Sequence, residues 1–398
     1  MRVLTVGNMY PPLHLGGYEL IWESAVEHLR AAGHEVDVLT TDHGIADGGH
    51  PPGDDPGVHR ELRWYWRDHE FPRLPVRKRL TIERHNARVM ARLLGERDPE
   101  VVSWWSMGGM SLSLIEAVRR EGRRSCAVLC DDWLAYAPVV DGWTRAFSHR
   151  PRLGRVAEVT SGVPTRVDLG RLGPSLFLSE TVRRRALAEH DLPDTEVAYQ
   201  GIPNPKLFAE REPGEWAWRL AYVGRIDPRK GIDVAILALE MLPPEATLRV
   251  VGPGDERHLA ELRELAAGRG MGARVQFDRV PREALPDVYA ATDAILFPVQ
   301  WPEPWGLVPL EAMAVGRPVV ATGRGGSGEY LADGENCLIY EPADDPIALA
   351  EAVRRLAAQP DLRDRVRAGG RETAARFSEE GFNRAVGRLV ERAAGDRR

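Results

Sequence analysis

One stretch of this 398-residue chain constrains its fold more than any other: residues 294–326, AILFPVQWPEPWGLVPLEAMAVGRPVVATGRGG. It opens with an apolar run of strand length, Ala294 to Val299, and closes with another, Pro318 to Thr322. Between them Leu307, Leu310, Ala314 and Val315 recur with a period near 3.6, which predicts a helix with one apolar face. Strand, helix and strand in that order make a βαβ unit of a parallel sheet. Pro302 and Pro304 bias the residues before them away from the α region, so the helix begins no earlier than Trp305. Glu303 is then expected in the loop at the strand's C-terminal end, where open α/β sheets bind ligands. Glu311 is expected about a turn and a half into the helix. Both carboxylates would face the mouth of a crevice, although a capped helix with an incidental pair of acids has the same spacing.

Glu303 and Glu311, with seven residues between them inside EPWGLVPLEAMAVGRPVVAT, resemble the E-x7-E signature of family 4 glycosyltransferases, which have the GT-B fold. The resemblance covers a whole strand-loop-helix-strand unit. It implies that Glu311 accepts hydrogen bonds from the ribose of a nucleotide. It also implies that Glu303, with the segment Trp305, Gly306 and Leu307, lines the sugar end of the donor.

A second pattern lies upstream. Arg219 to Val223 reads as a buried strand running into Gly224-Arg225-Ile226-Asp227-Pro228-Arg229-Lys230-Gly231. Glycine, arginine, a short turn, lysine and glycine at a helix start place two cations at the strand's carboxyl end. Arg225 offers a planar fork of donors and Lys230 a point charge, a combination that suits a diphosphate. Lys78, Lys206 and Lys230 are the only lysines against fifty arginines, so the retention of lysine at 230 singles it out. The V-G-R-x-x-x-x-K-G arrangement is similar to the family's second signature.

Composition narrows the function classes. A net charge of -6 argues against a general nucleic-acid binder. No run of 18 apolar residues exists to span a bilayer. MRVLTVGNMYPP passes directly from a strand to prolines, unlike a signal peptide. Cys126, Cys130 and Cys337 are odd in number and lack metal-site spacing, which suggests reduced thiols and a cytoplasmic setting, with the inner face of the membrane as a variant.

The first half alternates strands and helices. Arg2 to Val6 is an apolar strand, followed by a loop ending in Gly16-Gly17, an amphipathic helix through Leu29, and a second strand from Glu35 to Thr41. Two glycines before a helix let backbone amides approach a phosphate, with the helix dipole behind them. The dinucleotide pattern G-x-G-x-x-G is missing, which weakens a dehydrogenase reading. By the resemblance, Gly16 and Gly17 lie over the donor diphosphate. Residues 43–57 read as a mobile surface loop rich in Gly, Pro, Asp and His. Residues 60–92 combine ten basic side chains, Arg60, Arg67 and Arg92 among them, with Trp64, Tyr65, Trp66 and Phe71. That stretch could meet an anionic lipid or a phosphorylated acceptor; a solvated helix face is the plainer explanation.

Two further strands, Glu100 to Trp105 and Ser125 to Leu129, end in Trp104-Trp105-Ser106 and Cys130-Asp131-Asp132-Trp133. The second resembles a His-Asp-x-Trp sequence of the family, with Cys130 in the place of the histidine. Asp131 and Trp133 fit the remainder, so Asp131 is a candidate catalytic residue. A thiol cannot serve as an imidazole near neutral pH. Asp131-Asp132 without a third ligand is weak support for a metal, so none is expected, and no cofactor. Residues 133–152 read as an aromatic loop, with Trp133, Tyr136 and Trp143 as the wall for an acceptor.

The expected architecture is α/β and GT-B: two Rossmann-like domains facing each other across a cleft. Residues 1–203 form the acceptor domain, 204–377 the nucleotide-sugar domain, and 378–398 a helix crossing back to the first. By resemblance the chain moves a sugar, with retention, from a nucleoside diphosphate sugar to an acceptor hydroxyl. UDP is the commonest nucleotide in the family. Glu303, Arg225, Lys230 and Asp131 are the catalytic candidates. Gly16, Gly17, Gly224, Arg225, Lys230, Trp305, Gly306, Leu307 and Glu311 are the donor-binding ones. A lipid, a growing polysaccharide and a small natural product are all compatible acceptors. Two other functions fit the same fold: a sugar-nucleotide epimerase and a non-catalytic sugar-nucleotide-binding module. Neither would release nucleotide in response to an acceptor.

Overall fold

The computed structural model describes residues 1–14, 16–45, 55–66 and 70–395. Residues 46–54 of the expected surface loop, and Arg67 of the basic stretch, lie outside the described residues. The chain divides into two compact units, Met1–Tyr199 with Glu380–Arg398, and Gln200–Glu379.

The first unit is built on seven parallel strands: β1 (Arg2–Val6), β2 (Glu35–Thr41), β3 (Val58–Leu62), β4 (Val101–Trp104), β5 (Arg124–Leu129), β6 (Ser175–Phe177) and β7 (Thr195–Val197). Their order is β3-β2-β1-β4-β5-β6-β7, parallel throughout. β4 is buried at all four positions, Ser103 included, as in a strand covered on both faces. The sequence direction reverses between β1 and β4, so the loops after those strands flank a crevice. Asn8 and Ser106 join across it, amide to carbonyl at 2.9 Å and Nδ2 to Oγ at 3.0 Å. The final helix, Glu379–Ala394, turns Phe382, Val386, Leu389 and Val390 inward. Its Asn383 Nδ2 donates to Ser24 Oγ at 2.8 Å, on the helix that follows β1.

The second unit holds six parallel strands: β8 (Arg219–Val223), β9 (Thr247–Val251), β10 (Val275–Asp278), β11 (Ala294–Phe297), β12 (Val319–Ala321) and β13 (Leu338–Ile339). Their order is β10-β9-β8-β11-β12-β13, with the reversal between β8 and β11. The βαβ unit expected around residues 294–326 is present, with β11 paired to β12 and the helix Leu307–Val315 between them. That helix starts two residues later than the prolines alone require. Gly306, at φ +89°, makes the turn into it, and Gly316, at φ +84°, ends it.

Three expectations about the first unit are corrected. Residues 133–152 are mostly helical rather than an aromatic loop: Trp133–Val140, Thr144–Phe147 and the start of Pro151–Ser161. Trp133 and Trp143, expected on an acceptor wall, are core residues 0 % and 2 % exposed, and the Trp143 indole N–H donates to the Pro164 carbonyl. The stretch 60–92 is not a continuous basic surface. Arg60 is buried and donates to the carbonyls of Tyr10 and Pro11, Trp64 and Tyr65 are buried, and residues 76–97 form a single helix.

Candidate functional site

The switch point of the second unit brings together the two patterns that stood out in the sequence. The loop after β8 carries Arg225 and Lys230, and the loop after β11 carries Glu303. Two close approaches clamp the loops. Gly231 has φ +67°, and a Cβ there would lie 2.1 Å from the Pro298 carbonyl oxygen. The Gln300 amide donates to the Arg229 carbonyl at 2.9 Å. On the other side Gly325, at φ +73°, packs so closely that a Cβ would sit 2.3 Å from the Glu303 carbonyl oxygen, and the Gly326 amide donates to that oxygen at 2.6 Å. Only glycine combines that backbone region with that clearance.

Between the loops Lys230 Nζ donates to Glu303 Oε2 at 2.6 Å, and Trp301 Nε1 donates to the same oxygen at 2.8 Å. The two side chains of the ion pair are 12 % and 15 % exposed. Arg229 stacks on the Trp301 ring, 4.5 Å from its centroid, and is tied by two hydrogen bonds to Asp227. Those bonds, with the charge behind them, hold the Asp227 carboxyl well below the usual carboxylate range. Arg225 is held more loosely: its guanidinium is 3.8 Å from Asp227 and 41 % exposed. Its backbone is fixed instead, because Tyr222 donates its hydroxyl to the Arg225 carbonyl at 2.7 Å. An exposed fork and a half-buried ammonium thus project from one strand end. Gly224, at φ +134°, makes the turn that separates them from β8.

Glu311 is placed differently from the expectation. It is 2 % exposed rather than open at the crevice mouth, and both its oxygens are engaged. Tyr289 donates to one at 2.7 Å and Arg282 pairs with the other at 2.9 Å. Burial raises the Glu311 carboxyl above its ordinary value, and Arg282 opposes that shift. Trp305 also turns inward. Its indole N–H donates to the Gln200 carbonyl, and its ring meets Tyr330 and Phe377 edge-on. What Trp305, Gly306 and Leu307 offer a ligand is backbone at the N-terminus of the helix Leu307–Val315, where amide groups and the helix dipole favour an anion.

In the first unit, Asp131 lies beyond the end of β5. Its oxygens accept from the Trp133 amide at 3.1 Å and from the Tyr136 hydroxyl at 3.0 Å. Burial pushes its carboxyl up to about 7. Gly108 makes room for the phenol, since a Cβ there would fall 2.2 Å from the Tyr136 oxygen. Asp131, Tyr136, Ser106 and Asn8 thereby form a polar strip along the carboxyl ends of β5, β4 and β1. Asn8 and Ser106 carry no motif, and the signal that could have marked them is their place immediately after adjacent strands. Asp132 is drawn away to pair with Arg185. The Gly16 amide, expected over a diphosphate, donates to the Glu19 carboxylate at 3.1 Å, so a carboxylate already occupies it. Cys130 is buried, and burial raises its thiol well above the ordinary value. Among the described residues, no three His, Cys, Asp or Glu side chains gather where they could hold a metal ion.

Residues 205–373 match the family described as glycosyl transferases group 1. Over its full length the chain superposes on sucrose-phosphate synthase from Thermosynechococcus elongatus with a TM-score of 0.75 at 22 % identity, covering 98 % of each chain. Superposition on HepE from Anabaena, solved in complex with UDP and glucose, gives a TM-score of 0.72 at 19 % identity, covering 98 % of this chain and 99 % of that one. The fold is GT-B. A D-inositol 3-phosphate glycosyltransferase from Xylanimonas cellulosilytica is 36 % identical over 175 residues, 43 % of this chain. That match spans 41 % of the relative's length. The family matched over residues 205–373 and the relative from Xylanimonas cellulosilytica are both described as glycosyltransferases. The GT-B chain keeps its donor-side candidates, Arg225, Lys230, Glu303 and Glu311, within the matched segment; Asp131 lies outside it.

Proposed function

We propose that this chain is a retaining, metal-independent glycosyltransferase of family 4 that moves a sugar from a UDP-sugar to an acceptor hydroxyl. The observation that carries the reading is the Lys230–Glu303 pair at 2.6 Å, with Arg225 exposed at the same switch point. Two cations and a carboxylate at the ends of the neighbouring strands β8 and β11 match the two ends of a sugar nucleotide, its diphosphate and its sugar hydroxyls. HepE, which shares the fold, was solved with UDP and glucose, and this supports the choice of nucleotide.

In this reading Arg225 and Lys230 bind the diphosphate. The C1–O bond to the departing phosphate breaks while the acceptor oxygen bonds C1 on the same face. The acceptor proton passes to a phosphate oxygen of the leaving group. Negative charge grows on the diphosphate as it departs, so the two cations stabilise the transition state more than the bound donor. Glu303 is already paired with Lys230 and Trp301. It therefore suits a hydroxyl-positioning role better than that of a free nucleophile. Glu311 accepts from Tyr289 and pairs with Arg282 at 2 % exposure, so its role at the ribose requires Arg282 to swing aside. Asp131 and Tyr136 supply a polar pair for a hydroxyl in the first unit.

Calorimetric titration of UDP, GDP, ADP and dTDP, with and without magnesium, into the wild type and Arg225→Ala tests the donor site. Micromolar binding of UDP without metal, weakened about tenfold or more in the variant, is expected. No binding, or equal binding by Arg225→Ala, overturns the assignment. Acceptor-dependent release of UDP then separates transfer from epimerisation and from simple binding.

A further inference from the structure

The helix Pro151–Ser161 of the first unit carries its apolar stripe on the wrong side. Its buried residue is Gly154, where a Cβ would come within 2.8 Å of Thr165 Oγ1 and 3.2 Å of the Phe147 Cβ. Leu153, Val156 and Val159 share the opposite face at three-residue spacing and are 56 %, 61 % and 82 % exposed. A helix serving only the core would bury that stripe. Val139, Val76 and Phe71 extend the apolar surface, at 62 %, 57 % and 38 % exposure. Hydrogen bonds join the segments, Arg79 to the Gly142 carbonyl at 2.7 Å and Arg84 to the Thr160 carbonyl at 3.4 Å, and Phe71 and Val139 line one cleft.

The charge of this face runs against that of the chain. Residues 71–88 hold six Lys and Arg and one acid, and residues 139–161 hold four Arg and two acids, in a protein of net charge -6. Glu83 and Asp141 are buried and Glu158 pairs with Arg120, so of these acids and the neighbouring Glu70, Glu70 is the one exposed beside the apolar residues. Arg73, Arg77, Lys78, Arg150, Arg152 and Arg155 are all exposed around the apolar residues.

We propose that this face docks the protein on an anionic lipid bilayer, with Leu153, Val156 and Val159 entering the interface and the arginines meeting lipid phosphates. Exposed apolar side chains ringed by cations suit such a surface, because apolar burial and phosphate attraction act together there. A second copy of the same face would set arginine against arginine. A soluble polyanion would leave the apolar stripe in water. The docking is independent of the donor chemistry.

The test is co-sedimentation of the full chain with phosphatidylcholine vesicles, with and without about one-third phosphatidylglycerol, at low salt and at about 0.5 M salt. Binding to the anionic vesicles at low salt is expected, with little to the neutral ones. Arg152→Glu with Arg155→Glu should weaken it more than tenfold, at about fivefold per cation removed. Val156→Ser with Val159→Ser, which leaves the charge unchanged, should weaken it several-fold. Arg257→Glu, at a side chain 88 % exposed on the second unit, should bind as the wild type does. Unchanged circular dichroism and melting confirm that the variants fold. Equal binding to both vesicle types, or no effect of the valine changes, overturns the proposal. So does sedimentation velocity showing a wild-type dimer that the valine changes dissolve, which would make the face a self-association surface.

Discussion

Glu303→Gln changes one charge and almost no volume at the crowded end of β11. The carboxylate holds Lys230 at 2.6 Å and accepts from Trp301 at 2.8 Å. Once Arg225 and Lys230 hold a diphosphate, that carboxylate is a like charge beside it. At about 6 Å and an effective dielectric near 20, two unit charges repel by about 3 kcal/mol. Glu303 and Lys230 retain 15 % and 12 % exposure, and Lys230 lies beside the carboxylate, so most of this is screened. About 1 kcal/mol remains, at the upper end of what partly solvated pairs show. UDP should therefore bind about fivefold more tightly to Glu303→Gln than to the wild type. Turnover should move the other way. A neutral amide loses the charge-assisted hydrogen bond to a sugar hydroxyl, worth about 1.5 to 3 kcal/mol, which lowers kcat by roughly tenfold to a hundredfold. Lys230→Ala gives the contrast, weakening both UDP binding and turnover. Calorimetry with UDP and a UDP-release assay read the two effects separately. Weaker UDP binding by Glu303→Gln would show that the carboxylate does not face the diphosphate, and the reasoning would fail.

Three further outcomes rest on the same geometry. Arg282→Ala leaves Glu311 buried with Tyr289 as its remaining partner and should cost about 2 kcal/mol, below the usual range for a fully buried pair because Arg282 is 28 % exposed; an unchanged urea midpoint would contradict it. Gly231→Ala, at φ +67° and with its Cβ 2.1 Å from a carbonyl oxygen, should displace Lys230 and reduce turnover more than tenfold, visible in kcat while the far-UV spectrum is preserved. Asp131 has a carboxyl raised to about 7 in the folded chain and an unfolded value near 4, so the native state holds the extra proton between those pH values. The stability it contributes is full below about pH 4 and is lost as pH rises through about 7. Melting of Asp131→Asn against the wild type should show the variant gaining relative stability across that window and no further change above it; a constant difference would assign the shift elsewhere.

The loop positions of the proposed donor-side residues are legible in the sequence because their signals are local. Proline punctuation, apolar runs of strand length and glycines at strand ends are enough to place Glu303, Arg225 and Lys230 on loops. The acceptor side was less legible. Trp133, Tyr136 and Trp143 share a short aromatic segment, yet Tyr136 reaches Asp131 while the two tryptophans fill the core. Aromatic composition cannot separate those fates, since a ring stacks on a sugar or packs in a core with the same chemistry. Asn8 and Ser106 escape a reading of the sequence because their meaning lies in being neighbours across β1 and β4, 98 residues apart in the chain.

The parallel α/β class, the βαβ unit at residues 294–326 and the candidate cations follow from local pattern, because hydrophobic period and turn chemistry act over a few residues. Which side chains pair across the chain depends on how the strands are ordered. The strand order β10-β9-β8-β11-β12-β13 puts the loops after β8 and β11 side by side, and so joins Lys230 to Glu303 across 73 residues. It also sinks Glu311 beneath Arg282. In the first unit, packing set Gly154 against Thr165 and left Leu153, Val156 and Val159 outward. A helical period fixes which side chains share a face; which face meets the core is settled by the volume the rest of the fold leaves to be filled.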